Sequence, residues 1–307
     1  MSASLPTVAL IAGPTASGKS ALALALAEKH CGTVINADSM QVYADLRILT
    51  ARPTQDEETR VPHRLFGHID GADGYSAARW AIEARAAIAE AHLDGRLPIL
   101  VGGTGMYLRT LLEGIAPVPE IDPAIRSAVR LLDVAQAHAE LAAADPEGAA
   151  RLAPADTSRV ARALEVVRST GTPLSHWHRQ RVGGIADEIR LVPLILLPDR
   201  EWLGARIDRR FAEMLELGRD EARALLARTD IPADAPILRA IGVPELRALF
   251  AGESDVVQAA AAGALATRQY AKRQYTWFKR QPPQDWERVE QIETNVRLAI
   301  IETKFHI

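Results

Sequence analysis

Apolar residues along the chain fall into short continuous runs that alternate with longer stretches of helical periodicity. Short apolar runs bounded by turn residues are typical of strands buried in a parallel sheet, and the longer stretches are typical of the helices that cover it. The runs predict strands at Val8–Ala12, Thr33–Asn36, Pro98–Val101 and Leu191–Leu197. Helices are predicted between and after them at Lys19–His30, Ser76–Leu93 and Met106–Glu113. The pattern therefore predicts an α/β fold, a parallel sheet with helices on both faces.

The middle of the chain follows a different pattern. After Gly114 the proline-rich stretch "IAPVPEIDP" leads into residues 123–170, which read as helical and contain no candidate strand. Sheet-like residues resume at Ile189, and further helices are predicted at Arg200–Glu216, Asp220–Ala227, Val243–Phe250 and Ser254–Phe278. We therefore expect a discontinuous core of residues 1–115 and 189–307, interrupted by an inserted all-helical lobe of residues 116–188.

Composition narrows the class of protein without identifying it. The 307 residues are 48% hydrophobic and 24% charged, which is typical of a folded globular protein. The longest apolar runs fall well short of the roughly 20 residues that cross a bilayer, and the amino terminus lacks a signal pattern. We therefore expect a cytoplasmic protein with no membrane partner. No long exposed apolar stripe stands out, so a monomer is expected.

The charge and the single cysteine limit the kinds of site. A net charge of −3 gives no general attraction to nucleic acid, so such a partner would have to bind a local basic patch. One such patch is "TRQYAKRQYTWFKR", residues 267–280, in which basic and aromatic residues alternate without an acid. Cys31 alone cannot form an internal disulfide or a cysteine-based zinc cluster. We expect it to be a small buried residue at the end of the first helix.

A phosphate-binding motif follows the first predicted strand. The stretch "GPTASGKS", residues 13–20, fits the pattern G-x-x-x-x-G-K-[ST] and opens the first helix. In such a loop the backbone N–H groups point at negative charge, the lysine adds a positive charge, and the last hydroxyl can hold Mg²⁺. The motif predicts a P-loop core, like that of nucleoside-triphosphate hydrolases, with a diphosphate or triphosphate site. The predicted members are Gly13, Thr15, Ala16, Ser17, Gly18, Lys19 and Ser20, with Mg²⁺ at Ser20.

Two further strands bring polar groups to the same edge of the sheet. Asp38 follows the second strand in "VINADSMQVY", and Thr104 follows the third in "PILVGGTGMYL". Open parallel sheets place ligand-handling residues at the carboxyl ends of their strands, so both should face the crevice of Lys19. Asp38 could be an indirect ligand of Mg²⁺, a general base, or the N-cap of a following helix. The glycines around Thr104 could equally form a tight turn without a chemical role.

Several stretches, in this order, resemble the tRNA dimethylallyltransferases. They are "GPTASGKS", "DSMQVY", "GGTGMYLRTLLEG", "DPEGAARLAPADTSRVARALEV" and "ATRQYAKRQYTWF", spread over residues 13–278. The loop is generic, whereas the second and the last stretch are specific to that family. The resemblance implies transfer of a dimethylallyl group from dimethylallyl diphosphate to N6 of adenosine 37 in tRNA, with Mg²⁺ as the cofactor.

The resemblance also implies roles for single residues. Asp38 would be the general base, and Thr104 would touch the acceptor side of the reaction centre. The adenine pocket would be lined by these two residues together with Ser39, Met40 and Gln41. On the helix at residues 200–210, Arg206 and Arg210 would bind the diphosphate. The alternative for these arginines is surface ion pairing with Asp208 and Glu213.

Contacts with the tRNA anticodon stem-loop are expected elsewhere, because flipping out the adenosine costs a few kcal/mol that other contacts must supply. The implied residues are Arg126, Ser158, Arg159 and Arg162 in the helical lobe, and Arg268 and Arg273 in the basic patch. The alternative for the lobe is a solvated surface on which Asp145, Glu147, Asp156 and Glu165 neutralise the arginines. In the basic patch at least two of Tyr270, Trp277 and Phe278 are expected to pack in the core.

The sequence departs from the family pattern near the expected acceptor pocket. Leu49 precedes Thr50 where the family usually has glycine, and Val243 and Pro244 stand where an aromatic and a basic residue are usual. Since Lys19, Asp38 and Thr104 are all present, altered affinity is expected before altered chemistry.

Other functions remain open at this point. An isopentenyltransferase acting on free AMP, ADP or ATP would share the loop and Asp38, but the inserted lobe argues against it. A P-loop small-molecule kinase would use the loop and the arginines for ATP, against the specificity of "DSMQVY". A nucleotide-dependent switch that binds RNA is the non-enzymatic alternative.

Overall fold

A six-stranded sheet forms the centre of the protein in the computed structural model, which describes residues 5–305. The strands are β1 (Thr7–Ala12), β2 (Gly32–Asn36), β3 (His63–Arg64), β4 (Leu97–Gly102), β5 (Arg190–Leu196) and β6 (Glu287–Val289). Their order in the sheet is β3-β2-β4-β1-β5-β6, and every neighbouring pair is parallel. The predicted α/β fold is confirmed, and each of the predicted strands lies within one residue of its observed bounds.

Helices fill most of the remaining chain. Within the described residues the α-helices are α1 (Lys19–Lys29), α2 (Gln55–Arg60), α3 (Ala77–Leu93), α4 (Gly105–Glu113), α5 (Pro123–Leu131), α6 (Val134–Ala144), α7 (Pro146–Ala150), α8 (Thr157–Thr170), α9 (Leu174–Trp177), α10 (Arg200–Leu217), α11 (Arg219–Ala227), α12 (Val243–Phe250), α13 (Val256–Arg280) and α14 (Thr294–Thr303). A short 3₁₀ helix lies at Pro236–Arg239. In the described part of the chain, no helix is both long enough and apolar enough to span a bilayer.

Both faces of the sheet are buried, which explains why the strands read as continuous apolar runs. Along β1 the side chains alternate: Ala9 and Ile11 pack in one cluster with Leu22 and Leu26 of α1. Their neighbours on the opposite face are equally buried. The parallel pairing also brings the carboxyl ends of β1, β2 and β4 to one edge, where the P-loop, Asp38 and Thr104 follow.

The chain divides into two compact units. Within the described residues, the first runs up to Leu111 and resumes at Ile185, and the second is Leu112–Gly184. The second unit begins and ends four residues before the predicted lobe, because the antiparallel bridge between Ile115 and Val182 belongs to it.

Aspartates explain why the second unit consists of short helices. The side chains of Asp122, Asp133, Asp145 and Asp156 each accept a backbone N–H at the start of α5, α6, α7 and α8. A small apolar core lies between these helices, including Val129, Leu141, Val160 and Leu164. Asp145 is buried as a helix cap, so its predicted alternative role in neutralising surface arginines is wrong.

The expectation that Cys31 is buried is also wrong. Cys31 is exposed, with φ of +48° in the turn between α1 and β2. A left-handed backbone at this position directs the side chain away from the core, although the periodicity of α1 predicts burial.

Trp80 provides a test of the packing beneath the edge of the sheet that carries Asp38. It is fully buried in α3, stacks on Tyr107 with 4.7 Å between ring centroids, and donates from Nε1 to the carbonyl of Asn36 at 2.8 Å. Trp80→Phe should lower the free energy of unfolding by about 1–3 kcal/mol, because it leaves that carbonyl with one partner fewer and creates a small void. Urea denaturation followed by circular dichroism measures the change.

The matched control is Ile82→Ala in the same helix, where the side chain is 72% exposed. This change should alter stability by less than about 0.5 kcal/mol. Equal effects of the two substitutions would contradict the packing described for Trp80.

Candidate active site

The P-loop joins β1 to α1, and three of its residues have a positive φ that lets the backbone turn sharply. Gly13 has φ of +148° and lies so close to the Leu196 carbonyl that any Cβ there would overlap it. Ala16 is left-handed at φ of +62°, a conformation that is uncommon for a residue with a Cβ. Gly18, at φ of +93°, precedes the first residue of α1, Lys19. The Lys19 ammonium donates to the Pro14 carbonyl at 2.6 Å.

Gln274 of α13 fixes the loop to the neighbouring strand. Its buried Oε1 accepts the N–H of Thr15 at 2.8 Å, and its Nε2 donates to the carbonyl of Gly103 at 2.8 Å. The amide therefore joins the P-loop to the turn after β4. This residue is absent from the set of site residues predicted from the sequence.

Asp38 is held by the last residue of β2. The buried Asn36 side chain accepts the N–H of Asp38 at 2.8 Å and donates to its carbonyl at 3.0 Å. One carboxylate oxygen of Asp38 accepts the N–H of Met40 at 3.0 Å. The residues after Asp38 form turns and not a helix, so the alternative in which it caps a following helix is wrong.

Thr104 lies beside this turn, at the end of β4. Its N–H donates to the Ala37 carbonyl at 3.2 Å, and its hydroxyl accepts the N–H of Ser39 at 3.0 Å. Gly102 precedes it where a Cβ would overlap the Ala37 carbonyl. The glycines therefore permit the close approach that ties the ends of β2 and β4 together.

Most of the predicted phosphate-binding residues line one polar cavity. Its lining includes Thr15, Ala16, Gly18, Lys19, Ser20, Asp38, Gln41, Arg206 and Arg210. Gly13 and Ser17 lie buried within the loop itself. The structure thus brings the loop, Asp38 and the two arginines of α10 together, as predicted from the sequence.

A largely apolar pocket adjoins this cavity and shares part of its wall. The residues common to both are Thr15, Ala16, Asp38, Thr50, Ala51 and Arg210. Beyond them the pocket is lined mainly by Met40, Leu49, Ile207, Phe211, Met214, Ile241 and Tyr270. Asp38 therefore stands where a charged compartment meets an apolar one.

Burial shapes the electrostatics of the cavity. It lowers the pKa of the Lys19 ammonium to about 8, with the Asp38 carboxylate opposing the shift and Arg210 adding to it. Burial also raises the pKa of the Asp38 carboxyl, against the Met40 N–H and the charge of Lys19. The pKa of Arg210 is lowered by burial and by the neighbouring Arg206. Cations outnumber the carboxylate here, so the cavity favours an anionic ligand.

The ion-pair alternative for Arg206 and Arg210 is not found. In the described part of the chain, neither arginine forms an ion pair with Asp208 or Glu213. Asp208 pairs instead with Arg268, and Arg206 lies 5.2 Å from the centre of the Trp202 ring.

The residues present could hold a magnesium ion together with a diphosphate. Ser20 is exposed at the start of α1 and lines the cavity with Asp38. The hydroxyl of Ser17 is buried in the loop without a hydrogen-bond partner among residues 5–305, as expected of a group that awaits a ligand oxygen. Those residues contain no cluster of three or more His, Cys, Asp or Glu side chains that could hold a metal. Mg²⁺ would therefore depend on phosphate oxygens and water for most of its ligands.

The loop at residues 47–51 forms a wall of the region that the polar cavity and the apolar pocket share. Hydrogen bonds with two side chains hold the backbone of this loop. Glu221 of α11 accepts the N–H groups of Arg47, Ile48 and Leu49 at 2.8, 2.9 and 2.6 Å. The side-chain amide of Gln41 donates to the carbonyls of residues 50 and 51 at 2.8 and 2.9 Å. Gln41 thus supports this wall as well as lining the cavity.

Both departures from the family pattern lie on or behind this wall. Leu49 is buried against Gly218 and Gly242, where a Cβ on either glycine would come within 2.7 and 2.8 Å of its side chain. Val243, the first residue of α12, is fully buried, whereas Pro244, the second, is exposed.

The basic patch of α13 has two faces. Phe278 is fully buried, while Trp277 is half-buried and packs on Gly105, where a Cβ would overlap its ring. Tyr270 instead lines the apolar pocket, so Phe278 is the one fully buried member of the three aromatics of which at least two were expected in the core. Burial raises the pKa of the Tyr270 hydroxyl, which hydrogen-bonds Thr104. Tyr270 and Gln274 lie four residues apart and therefore on one face of the helix. That spacing was the sequence signal from which both could have been predicted as site residues.

The cations of α13 lie in two different surroundings. Arg268 and Lys272 line a separate groove with Arg200 and Tyr275. The Arg273 guanidinium lies 5.6 Å from the centre of the Tyr270 ring. Of the two predicted contacts, Arg273 is exposed, and the Arg268 side chain is 41% exposed.

The lobe residues Arg126, Ser158 and Arg159 are exposed in the second unit, and the Arg162 side chain is 44% exposed. Arg159 lies 3.6 Å from Asp156, and Arg162 lies 3.8 Å from the buried Glu165. Such pairs contribute little to stability and leave both guanidinium groups accessible to another anion.

Known proteins resemble the chain over most of its length. The sequence model of the IPP transferase family matches residues 41–281. The tRNA dimethylallyltransferase of Sphingopyxis alaskensis is 65% identical over 283 residues, which are 92% of this chain and 92% of that protein. The corresponding protein of Erythrobacter litoralis is 60% identical over 291 residues, which are 93% and 92% of the two chains.

Solved structures agree with the sequences. The tRNA isopentenylpyrophosphate transferase of Bacillus halodurans is 32% identical, with a TM-score of 0.70 and coverage of 98% of this chain and 95% of that one. A eukaryotic dimethylallyltransferase acting on tRNA is 31% identical, with a TM-score of 0.77 and coverage of 89% and 70%. Together with the loop, the sheet and the inserted helices, these similarities show that the chain belongs to the tRNA dimethylallyltransferases, a family of prenyltransferases.

Proposed function

We propose that the protein transfers a dimethylallyl group from dimethylallyl diphosphate to N6 of adenosine 37 in tRNA, with Mg²⁺ as the cofactor. The observation that carries the proposal is the shared wall of the polar cavity and the apolar pocket, at which Asp38 stands. A donor with a charged head and a five-carbon apolar tail fits two such compartments. Its reacting carbon would then lie near the Asp38 carboxylate.

The loop would stabilise the leaving group. As the allylic C–O bond breaks, negative charge grows on the diphosphate, and Lys19 and the backbone N–H groups of the loop would offset it. Arg206 and Arg210 add two further cations from α10. Mg²⁺ held at Ser20 would neutralise part of the same charge.

Asp38 would act as the general base. The N6 amine of adenine is a weak nucleophile because its lone pair is delocalised into the ring. As the C–N bond forms, the N6 proton passes to the Asp38 carboxylate, and the diphosphate departs with the electrons of the C–O bond. The raised pKa of Asp38 strengthens it as a base.

Residues around the turn after β2 would hold the acceptor. Thr104 and Ser39 present adjacent hydroxyls that can bond the edge of a flipped purine. Met40 and Tyr270 line the apolar pocket, where they would contact the tail of the donor.

The anticodon stem-loop would be held by the accessible cations of both units. Arg126, Arg159 and Arg162 with Ser158 would contact it from the helical lobe, and Arg268 and Arg273 from α13. We further propose that the protein works in the cytoplasm, and as a monomer because its sequence shows no long exposed apolar stripe that would mediate self-association.

A transfer assay tests the function. The protein, Mg²⁺ and radiolabelled dimethylallyl diphosphate are incubated with an unmodified anticodon stem-loop containing A36-A37-A38, with AMP, or without acceptor. Label should enter the stem-loop alone. Label in AMP would instead favour the free-adenylate alternative, and release of phosphate from ATP without prenyl transfer would favour a kinase or a switch.

In the same assay Asp38→Asn should reduce transfer by about 10²–10⁴-fold, the range of general-base catalysis. Stem-loop binding should stay within a few-fold of wild type, because the amide keeps the shape of the carboxylate. A large loss of binding with retained turnover would contradict the assigned role.

The pH dependence should reflect Lys19 and Asp38. The value of kcat/KM for the donor should fall as pH rises through about 8, since the Lys19 pKa lies there and the neutral amine loses its attraction for phosphate. It should also fall at acid pH, where Asp38 is protonated, at a pH above the ordinary carboxyl value. Lys19→Arg should abolish the alkaline decline, because a guanidinium stays charged. Persistence of that decline in the variant would assign it to another group.

The helical lobe should contribute phosphate contacts. Replacing Arg126 and Arg159 by glutamine should weaken stem-loop binding and reduce the slope of log Kd against log salt by about 0.7 for each phosphate contact removed. Arg151→Gln is the control, because this exposed arginine lies in the same unit outside the predicted set. An equal change in the control, or an unchanged slope in the double variant, would argue against the clamp.

A further inference from the structure

Arg297 of α14 is buried directly behind the P-loop. Only 1% of its surface is exposed. Its Nη1 donates to the carbonyl of Ser17 at 2.8 Å, and its Nε donates to the carbonyl of Gln291 at 2.5 Å. Its remaining nitrogen, Nη2, is buried without a hydrogen-bond partner among residues 5–305. The residue lies outside the span that matches the family model, residues 41–281.

The contact with Ser17 controls the direction of a neighbouring N–H. The carbonyl of Ser17 and the N–H of Gly18 belong to one planar trans peptide, in which they point in opposite directions. When Arg297 draws that carbonyl outward, the Gly18 N–H must face the opposite side. Gly18 lines the polar cavity, which is the predicted position of the diphosphate, and an N–H that faces away from Arg297 can donate to an anion there.

The glycine at position 18 fits the same arrangement. Its φ of +93° disfavours a side chain, and a Cβ there would come within 2.7 Å of Nη1 of Arg297. The guanidinium therefore occupies the space that a side chain at this position would need.

The charge of Arg297 is not balanced by a partner. In the described part of the chain it forms no ion pair with a carboxylate, and Glu293 acts on it only from a distance. Burial and the nearby Arg206 lower the pKa of the guanidinium. An unpaired buried cation is costly, and an anion in the adjacent loop would offset that cost.

We propose that Arg297 is a positioning residue for the diphosphate: it orients the Ser17–Gly18 peptide towards the leaving group and places a positive charge behind the loop. The assignment of the ligand rests on the proposed function. The alternative is that Arg297 merely anchors α14 to the protein.

Arg190 provides a matched control for that alternative. It holds the other end of the same helix, donating from Nη2 to the Lys304 carbonyl at 2.7 Å, and its hydrogen bonds are with this end of the helix and not with the loop. Removing it should loosen α14 without disturbing the Ser17–Gly18 peptide.

The test compares Arg297→Met, Arg297→Lys and Arg190→Met with wild type. Calorimetry measures binding of inorganic diphosphate with Mg²⁺, steady-state kinetics give KM for the donor and for the stem-loop, and thermal denaturation reports stability. Arg297→Met should weaken diphosphate binding and raise the KM for the donor by at least about tenfold, the effect expected on removal of a charge-assisted hydrogen bond. The KM for the stem-loop should stay within about twofold. Arg297→Lys should recover part of the diphosphate affinity, because the charge remains.

Arg190→Met should lose stability and keep the diphosphate affinity of wild type. The proposal is overturned if Arg297→Met binds diphosphate as wild type does, or if Arg190→Met weakens it equally. Should Arg297→Met fail to fold, Arg297→Lys decides: unchanged affinity for diphosphate and unchanged KM for the donor overturn the proposal. Wild-type protein that binds diphosphate but transfers no prenyl group would refute the proposed function while leaving this comparison valid.

Discussion

The constraint on which the site depends is that several cations gather where burial disfavours charge. Lys19, Arg206 and Arg210 face one cavity, with Arg297 behind its floor and the Asp38 carboxylate as their nearby counter-charge. Burial is the main cause that lowers the pKa values of Lys19, Arg210 and Arg297, and repulsion from a neighbouring arginine adds to each shift. An anion with several oxygens would offset the cost of these charges, so a diphosphate bound there would stabilise the cavity. On the proposed function, binding energy would then be concentrated where negative charge grows during bond cleavage.

Prenyl transfer also requires that donor and acceptor lie side by side. Helix α13 contacts both the P-loop and the apolar pocket. One face of this helix carries Gln274, which fixes the P-loop, and Tyr270, one turn earlier, which lines the apolar pocket. Trp277 packs against Gly105 at the start of α4, which gives the helix a further contact near the end of β4. Other faces of the helix present accessible cations. A displacement of α13 by bound nucleic acid would therefore be felt by both the loop and the pocket.

Features that depend on a short continuous stretch of sequence could be predicted, namely the P-loop and the order of strands and helices. A glycine-rich turn that ends in lysine and serine, between a strand and a helix, is strongly associated with phosphate binding. The sequence therefore predicted this loop between β1 and α1, and the phosphate contacts of its residues stay a prediction. The α/β order followed from the apolar runs, because a parallel sheet buries both faces. β3 and β6 were missed because two or three residues carry no periodicity.

Residues that act through tertiary contacts could not be predicted in this way. Asn36, Gln274 and Arg297 each bond backbone groups that are distant or hidden in the fold, and a lone polar residue in an apolar segment does not reveal its partner. The position of Cys31 was predicted wrongly for a related reason. One left-handed residue after α1 reversed the direction that the helical periodicity implied.

Leu49 illustrates how a departure from the family pattern can spare the chemistry. Its side chain packs on Gly218 and Gly242, two positions where the absence of a Cβ leaves room for it. The backbone of the same loop is held by Glu221, whose carboxylate accepts three successive N–H groups regardless of their side chains. Hydrogen bonds to the backbone fix the wall at residues 50 and 51. A larger residue at position 49 is therefore expected to change the side-chain packing beside the wall and to leave the path of its backbone unchanged. The departure therefore bears on the size of the apolar pocket and hence on affinity, whereas the positions of Lys19 and Asp38 are set by β1 and β2.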